Sequence, residues 1–236
     1  MKSMISIICV YNNKEILDKY LIKSLENQDE DYELVLVDNR EQLFTSAASA
    51  LNYGTSKANG DYFVFSHQDI YFSEEWIKDT VKQLEALDNM GIAGVAGKTT
   101  DSLVRGNIRQ GINPVDLTQF KINKPELAST LDECLFIIPR TIFNKYPLDE
   151  KQCPDWHLYC VDYVYNIKNE GYNAYLIPSK LDHRSKGASM SESYYKTLPN
   201  LQKKYKKEKL IRTCMGDWFT FVPIRIQRLI KKYKKY

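Results

Sequence analysis

The fold is decided by one stretch of this 236-residue chain, Tyr62-Phe63-Val64-Phe65-Ser66-His67-Gln68-Asp69-Ile70-Tyr71-Phe72. Its first half is aromatic and β-branched, which is typical of a buried strand, and Gly60-Asp61 breaks the chain just before it. An imidazole, an amide and the carboxylate of Asp69 then follow in succession. Because ligands of open α/β sheets bind beyond the carboxyl ends of the strands, this carboxylate is well placed to hold a divalent cation. In the alternative interpretation, Asp69 only caps a helix that begins near Ser73.

Two strand–helix units precede this stretch. Met4 to Val10 and Tyr32 to Val37 are near-continuous apolar runs, the pattern of strands in a parallel sheet covered on both faces. The β-α-β-α-β order predicts right-handed crossovers and a nucleotide-binding α/β sheet. The two runs end in the polar clusters Tyr11-Asn12-Asn13 and Asp38-Asn39. With His67 to Asp69, three polar clusters therefore meet at one edge of the sheet and predict a site there.

The remainder of the chain continues the alternation of helices and strands. We expect one α/β domain over residues 1–190 and a helical, basic extension over residues 191–236. The expected elements are an amphipathic helix over 73–89, a strand over 91–97, loops or a short hairpin over 98–130, a strand over 135–138, a helix from near 154 to 170, a strand over 172–177, and a helix over 191–209 that is broken at Pro199.

The composition is that of a globular protein with an uneven charge distribution. The net charge is +3, yet residues 201–236 carry twelve Lys/Arg and two Asp/Glu, which leaves −7 on the rest of the chain. The five cysteines are odd in number and widely spaced, which argues against a disulfide framework and favours reduced thiols in the cytoplasm. No run of about 18 uncharged apolar residues occurs and no signal-peptide pattern opens the chain, so no transmembrane helix is expected.

Residues 218–236 interleave Trp, Phe, Ile and Leu with Lys and Arg. This pattern is typical of a helix lying in a membrane interface, where basic residues contribute on the order of 1 kcal/mol each toward anionic lipid. The alternatives are a helix whose apolar stripe packs on its own domain or on a second subunit of a homodimer, and a nucleic-acid-binding patch. No nucleic-acid-binding motif accompanies the charge, so we expect no nucleic acid partner.

Residues 4–190 resemble a family-2 glycosyltransferase with the GT-A fold, in which helices flank a mostly parallel α/β sheet. The matching segments are Ile7–Asn12 at the first strand, Val35–Asn39 at the second, the Ala/Asn/Gly segment Ala50–Gly54 and the late loop His183–Gly187. The Asp-x-Asp motif of the family corresponds to His67-Gln68-Asp69, in which the first acid is replaced. This variant and the Trp-His-Leu-Tyr segment are similar to a bacterial subgroup found among surface-polysaccharide enzymes.

The resemblance implies transfer of a sugar, with inversion, from a nucleotide-sugar donor (UDP-sugar favoured) to a glycan or lipid-linked acceptor. Asp69 and His183 would hold Mn²⁺ or Mg²⁺, and an imidazole ligand favours Mn²⁺. A lipid-linked acceptor implies a cytoplasmic protein, peripheral at the inner face of the cell membrane. The residues implied to bind the nucleotide are Val10, Tyr11, Asn12, Asp38, Asn39, Asn52, His67 and Gln68.

An inverting displacement needs a general base that deprotonates the acceptor hydroxyl. Many relatives carry an acidic pair before the helix that precedes the Gly-Tyr strand, but that position falls on Tyr159-Cys160 here. The nearby candidates are Asp155, His157 and Asp162, with Asp155 favoured because it lies where a loop meets a helix. Alternatively, Asp155 only caps the helix, and Asp162 is a solvated or salt-bridged helix residue. The residues expected to contact the acceptor are Asp132, Glu133 and Trp156.

Two other functions compete with sugar transfer. A nucleotidyltransferase uses a related sheet, but it would carry a Gly-rich loop with Arg or Lys after the first strand, and Tyr11-Asn12-Asn13-Lys14 is not such a loop. A non-catalytic nucleotide-sugar-binding module is compatible with the altered Asp-x-Asp motif.

Overall fold

The computed structural model describes residues 3–118, 120–185 and 190–233. Its strands are β1 (Ile5–Tyr11), β2 (Tyr32–Asp38), β3 (Tyr62–Ser66), β4 (Ile70–Phe72), β5 (Met90–Gly94), β6 (Ala96–Thr99), β7 (Val104–Gly106), β8 (Arg109–Gln110), β9 (Val115–Asp116), β10 (Glu126–Leu131), β11 (Leu135–Pro139), β12 (Asn173–Leu176), β13 (Leu181–His183), β14 (Leu210–Thr213) and β15 (Gly216–Phe219). The helices are Lys14–Leu17, which continues through a π-helical stretch Asp18–Ile22 into Lys23–Leu25, then Ala47–Thr55, Trp76–Glu85, Arg140–Lys145, Tyr159–Asn169, Glu192–Lys204 and Ile224–Tyr233, with a 3₁₀ turn at Lys206–Glu208.

The described strands build a nine-stranded sheet in the order β2-β1-β3-β11-β5-β12-β10-β6-β7. The pairings make β2, β1, β3, β5, β12 and β6 run in one direction, whereas β11, β10 and β7 run in the other. The prediction of an α/β fold with a mainly parallel sheet is therefore confirmed. The predicted strand over residues 91–97 divides at Val95 into β5 and β6, which lie in different places in the sheet.

The parallel group β2-β1-β3 positions the predicted site. β1 pairs with β2 in parallel from Ile5 opposite Tyr32 to Tyr11 opposite Asp38, and it pairs with β3 in parallel on its other side. The carboxyl ends of all three strands therefore reach the same edge of the sheet, where the polar clusters were expected.

A second sheet, in the order β4-β13-β8-β9, brings a late segment of the chain to this edge. β13 is antiparallel to β4, with His183 opposite Ile70. The Arg184 backbone N–H donates to the Asp69 carbonyl oxygen at 2.8 Å. His183 therefore lies beside the polar end of β3, although more than 100 residues separate them in sequence.

Two apolar layers cover the large sheet. One contains the Ala47–Thr55, Tyr159–Asn169 and Glu192–Lys204 helices, and the other contains the first helix and Trp76–Glu85. None of the described helices is both long enough and apolar enough to cross a membrane.

The predicted boundary at residue 190 does not coincide with an end of the core. Leu198, Leu201 and Trp218 are fully buried in the same layer as the Tyr159–Asn169 helix. Pro199 lies inside the Glu192–Lys204 helix and does not end it. The segment expected to be helical throughout instead contains the hairpin β14–β15, because the alternating residues Leu210 to Thr213 bury one face.

Candidate functional site

The end of β3 and the end of β13 together form a cluster of three ligating side chains. One candidate ligand atom from each of His67, Asp69 and His183 lies within 4.8 Å of the other two. His183 Nε2 is 3.4 Å from the nearest Asp69 carboxylate oxygen. Ligand atoms on one octahedral cation lie about 3 to 4 Å apart when the bonds are about 2.1 Å long. The cluster therefore fits a divalent cation, and two imidazoles beside one carboxylate suit Mn²⁺ better than Mg²⁺.

The surroundings of the cluster favour the metal-binding protonation states of His67 and Asp69. Burial lowers the pKa of His67 to about 4, and the charge of His183 adds to this effect. Burial opposes ionisation of Asp69, but the hydrogen bond from His183 and the nearby imidazole charge bring its pKa below the usual value. At neutral pH, His67 is therefore a neutral imidazole and Asp69 is a carboxylate, which are the ligating forms. Burial would lower the pKa of His183, but its hydrogen bond to Asp69 and the charge of that carboxylate outweigh this and raise that pKa, so a cation competes with a proton at His183.

The first cleft has a volume of about 910 Å³ and opens at the carboxyl ends of β1, β2 and β3. Arg40 and Lys196 also line it, and neither was predicted from the sequence. Their positive charges suit a diphosphate, and the aromatic ring of Phe44 on the same wall suits a base. The predicted nucleotide-binding residues that line this cleft are Val10, Tyr11, Asn12, Asn39, His67 and Gln68.

Gln68 joins the ends of β1 and β3. Its Oε1 accepts from the backbone N–H groups of Asn12 and Asn13, each at 3.0 Å, and its Nε2 donates to Asn12 Oδ1 at 2.8 Å. Asn13 in turn caps the first helix, because its Oδ1 accepts from the Ile16 N–H. Gln68 therefore fixes the position of the cleft wall through both of its side-chain polar atoms.

Two residues predicted to bind the nucleotide do not line the first cleft. The Asp38 carboxylate is held by the Arg40 guanidinium at 2.6 Å and by the Arg40 backbone N–H, and the same interactions hold its pKa well below the usual range. The Asn52 amide bonds both backbone groups of Leu148 and the Glu150 carboxylate. Asn52 therefore braces the 148–150 loop, and Asn39 and Arg40, which follow Asp38 in the chain, reach the cleft instead of Asp38.

The second cleft has a volume of about 920 Å³ and lies on the other side of the metal-ligand cluster. His67, Asp69 and Glu133 line both clefts. The remaining wall of the second cleft is mostly apolar, with contributions from β7, the β8–β9 hairpin and the β14–β15 turn. Asp132 and Glu133, predicted to contact an acceptor, lie here, whereas Trp156 lines the first cleft.

Glu133 and His157 form a pair on the wall of the second cleft. His157 Nδ1 is 3.5 Å from Glu133 Oε2. Glu133 is largely buried, and burial raises the pKa of its carboxyl. Burial would lower the pKa of His157, but the hydrogen bond and charge of Glu133 outweigh this and raise it above the usual value. The other oxygen of Glu133, Oε1, has no hydrogen-bond partner among the described residues.

The two acidic residues proposed as bases have other partners. Asp155 lies in a loop four residues before the helix that begins at Tyr159; it accepts from the Ser193 hydroxyl and the Trp156 N–H, and Lys196 is 3.2 Å away. It lines the first cleft and not the second. Asp162 lines neither cleft, because its carboxylate is buried against Lys204 at 2.9 Å and the Tyr205 hydroxyl at 2.7 Å. The salt-bridged interpretation of Asp162 therefore describes its surroundings.

Only part of the late-loop motif can be assigned. Lys186 and Gly187, which completed the match to His183–Gly187, lie outside the described residues. Ser185 lines the second cleft.

The fold and this site define an α/β protein with a candidate divalent-cation site between two clefts. A family profile described as "Glycosyltransferase like family" matches residues 5–210. The chain belongs to this glycosyltransferase-like family, which agrees with the resemblance in the sequence.

Two curated relatives match most of the chain at low identity. An uncharacterized glycosyltransferase of Rickettsia typhi is 26% identical over 180 residues, with 65% of this chain and 55% of the relative covered. The protein named "ATP synthase subunits region ORF 6" of Fuscovulum blasticum is 25% identical over 184 residues, with 74% and 72% covered.

Several solved glycosyltransferase structures share the fold. GalNAc-T7 with UDP, GalNAc and Mn²⁺ has a TM-score of 0.61 at 15% identity, with 85% of this chain and 48% of that chain covered. The mannosyltransferase PcManGT of Pyrobaculum calidifontis, in complex with GDP-Man and Mn²⁺, has a TM-score of 0.59 at 14% identity, with 87% and 64% covered. TarS 1-349 of S. aureus has a TM-score of 0.56 at 16% identity, with 86% and 65% covered. The chain thus spans about half to two thirds of these structures.

Proposed function

We propose that the protein transfers a sugar, with inversion, from a nucleotide-sugar to a hydroxyl group of an acceptor. The observation that carries the proposal is the His67–Asp69–His183 cluster lying between two clefts of similar volume. A transferase of this kind needs a donor site, an acceptor site and a charged group at the bond that breaks between them.

The first cleft is proposed as the donor site. Tyr11, Asn12 and the Phe44 ring would hold the nucleoside, while Arg40 and Lys196 would neutralise the diphosphate. UDP remains the favoured nucleotide, and the mannosyltransferase bound to GDP-Man shows that the fold also accepts guanosine donors.

The donor set favours Mn²⁺ as the cofactor, held by Asp69 and His183 with His67 as a third ligand. When bound, such a cation supplies positive charge for the leaving nucleoside diphosphate. Replacement of the family's first acid by His67 does not remove a ligand under this proposal, because a neutral imidazole takes its position. The chain's own part is to keep Asp69 ionised and His67 neutral, as their pKa values favour.

His157 is proposed as the general base, in preference to Asp155 and Asp162. Only His157 among the three lines the second cleft, which is the side from which an acceptor would approach. Glu133 contacts Nδ1, so the imidazole would take the acceptor proton on Nε2 and share the resulting charge with the carboxylate. Direct attack of the activated hydroxyl on the anomeric carbon, as the diphosphate leaves from the opposite face, inverts that carbon.

The acceptor is proposed to be a glycan carried on a lipid at the cytoplasmic face of the membrane, in surface-polysaccharide synthesis. Support comes from the mostly apolar wall of the second cleft, with Val104, Ile108 and Leu117, beside the carboxyl groups of Asp132 and Glu133, a type of group that accepts hydrogen bonds from sugar hydroxyls.

The test is to incubate the protein with UDP-, GDP- and dTDP-sugars and Mn²⁺ and to measure nucleoside diphosphate release with and without glycan acceptors. Release that needs metal and is lost in Asp69→Ala supports sugar transfer. Donor binding without turnover under every acceptor tried would favour the binding module. Release of pyrophosphate from a nucleoside triphosphate and a sugar phosphate would establish a nucleotidyltransferase and overturn the proposal.

A further inference from the structure

The last helix, Ile224–Tyr233, packs Ile224 against the core at its start, and its further contacts with the protein are made by polar side chains. Gln227 is only 5% exposed. Its Oε1 accepts from the Phe219 N–H at 2.8 Å, and its Nε2 donates to the carbonyl oxygens of Phe219 and Val222 at 2.8 and 2.7 Å. These bonds fix the helix to the end of the β14–β15 hairpin.

Two cations on the helix make the next contacts with the body of the protein. The Arg228 guanidinium lies 3.7 Å from the centre of the Tyr195 ring and 2.8 Å from Glu192. The Lys231 ammonium lies 4.7 Å from the centre of the Trp218 ring. Cation–π contacts of this kind stabilise the docked helix without using its apolar side chains.

The apolar face of the same helix is turned toward solvent. Ile226, Leu229 and Ile230 share one stripe and are 49%, 57% and 49% exposed. Phe219 and Phe221, 48% and 70% exposed, lie at the adjacent end of the hairpin with their rings 5.4 Å apart. We refer to these five side chains as the apolar patch. An amphipathic helix in a globular domain normally buries this stripe, so its orientation here is reversed, and none of the described residues covers the patch.

The charge around the patch identifies the chemistry that would cover it. Residues 218–236 contain six Lys/Arg and no Asp or Glu. The nearest acid in sequence, Asp217, is paired with Lys98 at 2.8 Å. An apolar stripe on a segment whose charged residues are all basic fits a surface that offers acyl chains together with anionic groups. A twofold dimer through the patch would instead bring the same cations of two copies together.

We propose that the apolar patch and the basic residues of this segment dock the protein on an anionic lipid bilayer, with the last helix lying in the interface. The hairpin that carries this helix also supplies Thr213, Cys214 and Met215 to the second cleft. Docking would therefore hold that cleft next to the lipid surface. This consequence for acceptor delivery rests on the proposed function, whereas the lipid binding itself does not.

Co-sedimentation with vesicles tests the proposal without any measurement of sugar transfer. The full chain is mixed with vesicles of phosphatidylcholine alone or with one third phosphatidylglycerol. We expect binding to the anionic vesicles, weakened by 0.5 M salt because the attraction is screened. The double change Leu229→Glu and Ile230→Glu removes apolar insertion and adds like charge, so binding should fall by more than about tenfold.

The matched control is Leu127→Glu, an equally exposed leucine (53%) on β10, and it should bind as the unchanged chain does. Near-identical circular dichroism spectra of all variants exclude unfolding as the cause. Unchanged sedimentation of the double variant would overturn the proposal. The proposal would also be overturned if the unchanged chain formed a dimer in sedimentation equilibrium, the double variant did not, and the dimer failed to bind vesicles.

Discussion

The two clefts share His67, Asp69 and Glu133 but are built in different ways. The first cleft is formed largely by the ends of β1, β2 and β3, which are consecutive strands of the parallel sheet, and it carries the cations Arg40 and Lys196. The second cleft is assembled from short hairpins and from segments far apart in the chain, with carboxylates, His157 and an apolar wall. The difference indicates that the proposed donor cleft is built by the parallel sheet itself, whereas the proposed acceptor cleft depends on short segments brought together from distant parts of the chain.

Asp69 contributes to both clefts, so its loss should have the largest effect. We expect Asp69→Ala to lower kcat/KM by at least about 10³-fold, because the leaving diphosphate would lose stabilising charge. Nucleoside diphosphate release measures the loss of activity, and Mn²⁺ titration measures the loss of metal binding. The control Asp79→Ala removes an exposed carboxylate on the Trp76–Glu85 helix and should change neither. Full activity in Asp69→Ala would mean that the shared cluster is not the reaction centre.

The second-largest expected effect is the loss of the proposed base His157, and it distinguishes the second cleft from the first. We expect His157→Ala to lower kcat by about 10²- to 10³-fold, the usual contribution of a general base. Asp155→Ala should cost less than about tenfold and act mainly on donor KM, because Asp155 faces the first cleft and pairs with Lys196. Steady-state kinetics with both substrates varied separate the two parameters. A larger loss of kcat in Asp155→Ala than in His157→Ala would instead identify Asp155 as the base.

A smaller and more specific effect concerns the Glu133–His157 pair. Because the Glu133 carboxylate raises the pKa of His157, Glu133→Gln should lower that pKa. A base works when deprotonated, so activity falls as the pH drops through this pKa, and the acidic limb of the kcat/KM profile should move to lower pH. Asp155 and Asp132 act on His157 only through charge, so Asp155→Asn should move the limb in the same direction by less. An unmoved limb in Glu133→Gln would exclude His157 as the titrating base.

The parts predicted from the sequence are those determined by local pattern. The apolar runs of β1, β2 and β3 and the polar residues after them fixed both the parallel sheet and the edge at which Asp69 lies. His183 was identified only through a family resemblance, since nothing in its own segment shows that it pairs opposite Ile70.

The features that the sequence did not predict depend on contacts between residues outside the local sequence pattern. Lys196 reaches the first cleft because the Glu192–Lys204 helix packs into the core, and the charge pattern gave no sign of this. The hairpin β14–β15 lies in the segment predicted to be helical, and its strands are held by pairing with each other, from Leu210 opposite Phe219 to Thr213 opposite Gly216. The reversed orientation of the last helix follows from the bonds of Gln227, a residue without a distinctive sequence signal.

Asp162 provides the last test, because it lies in neither cleft and should affect stability without affecting turnover. Its buried carboxylate pairs with Lys204, which Asp149 also approaches at 3.3 Å. Asp162→Asn should lower the free energy of unfolding by about 2 kcal/mol, since it leaves the partly buried Lys204 without its closest charge partner. Asp149→Asn, which removes the more exposed partner of the same lysine, should cost less than about 1 kcal/mol. Urea unfolding gives both values, and kcat per folded molecule should stay within about twofold in each variant because neither side chain reaches a cleft. A large loss of kcat in a fully folded Asp162→Asn protein would instead make Asp162 a participant in the reaction. The assignment of the reaction to the residues of the two clefts would then be wrong.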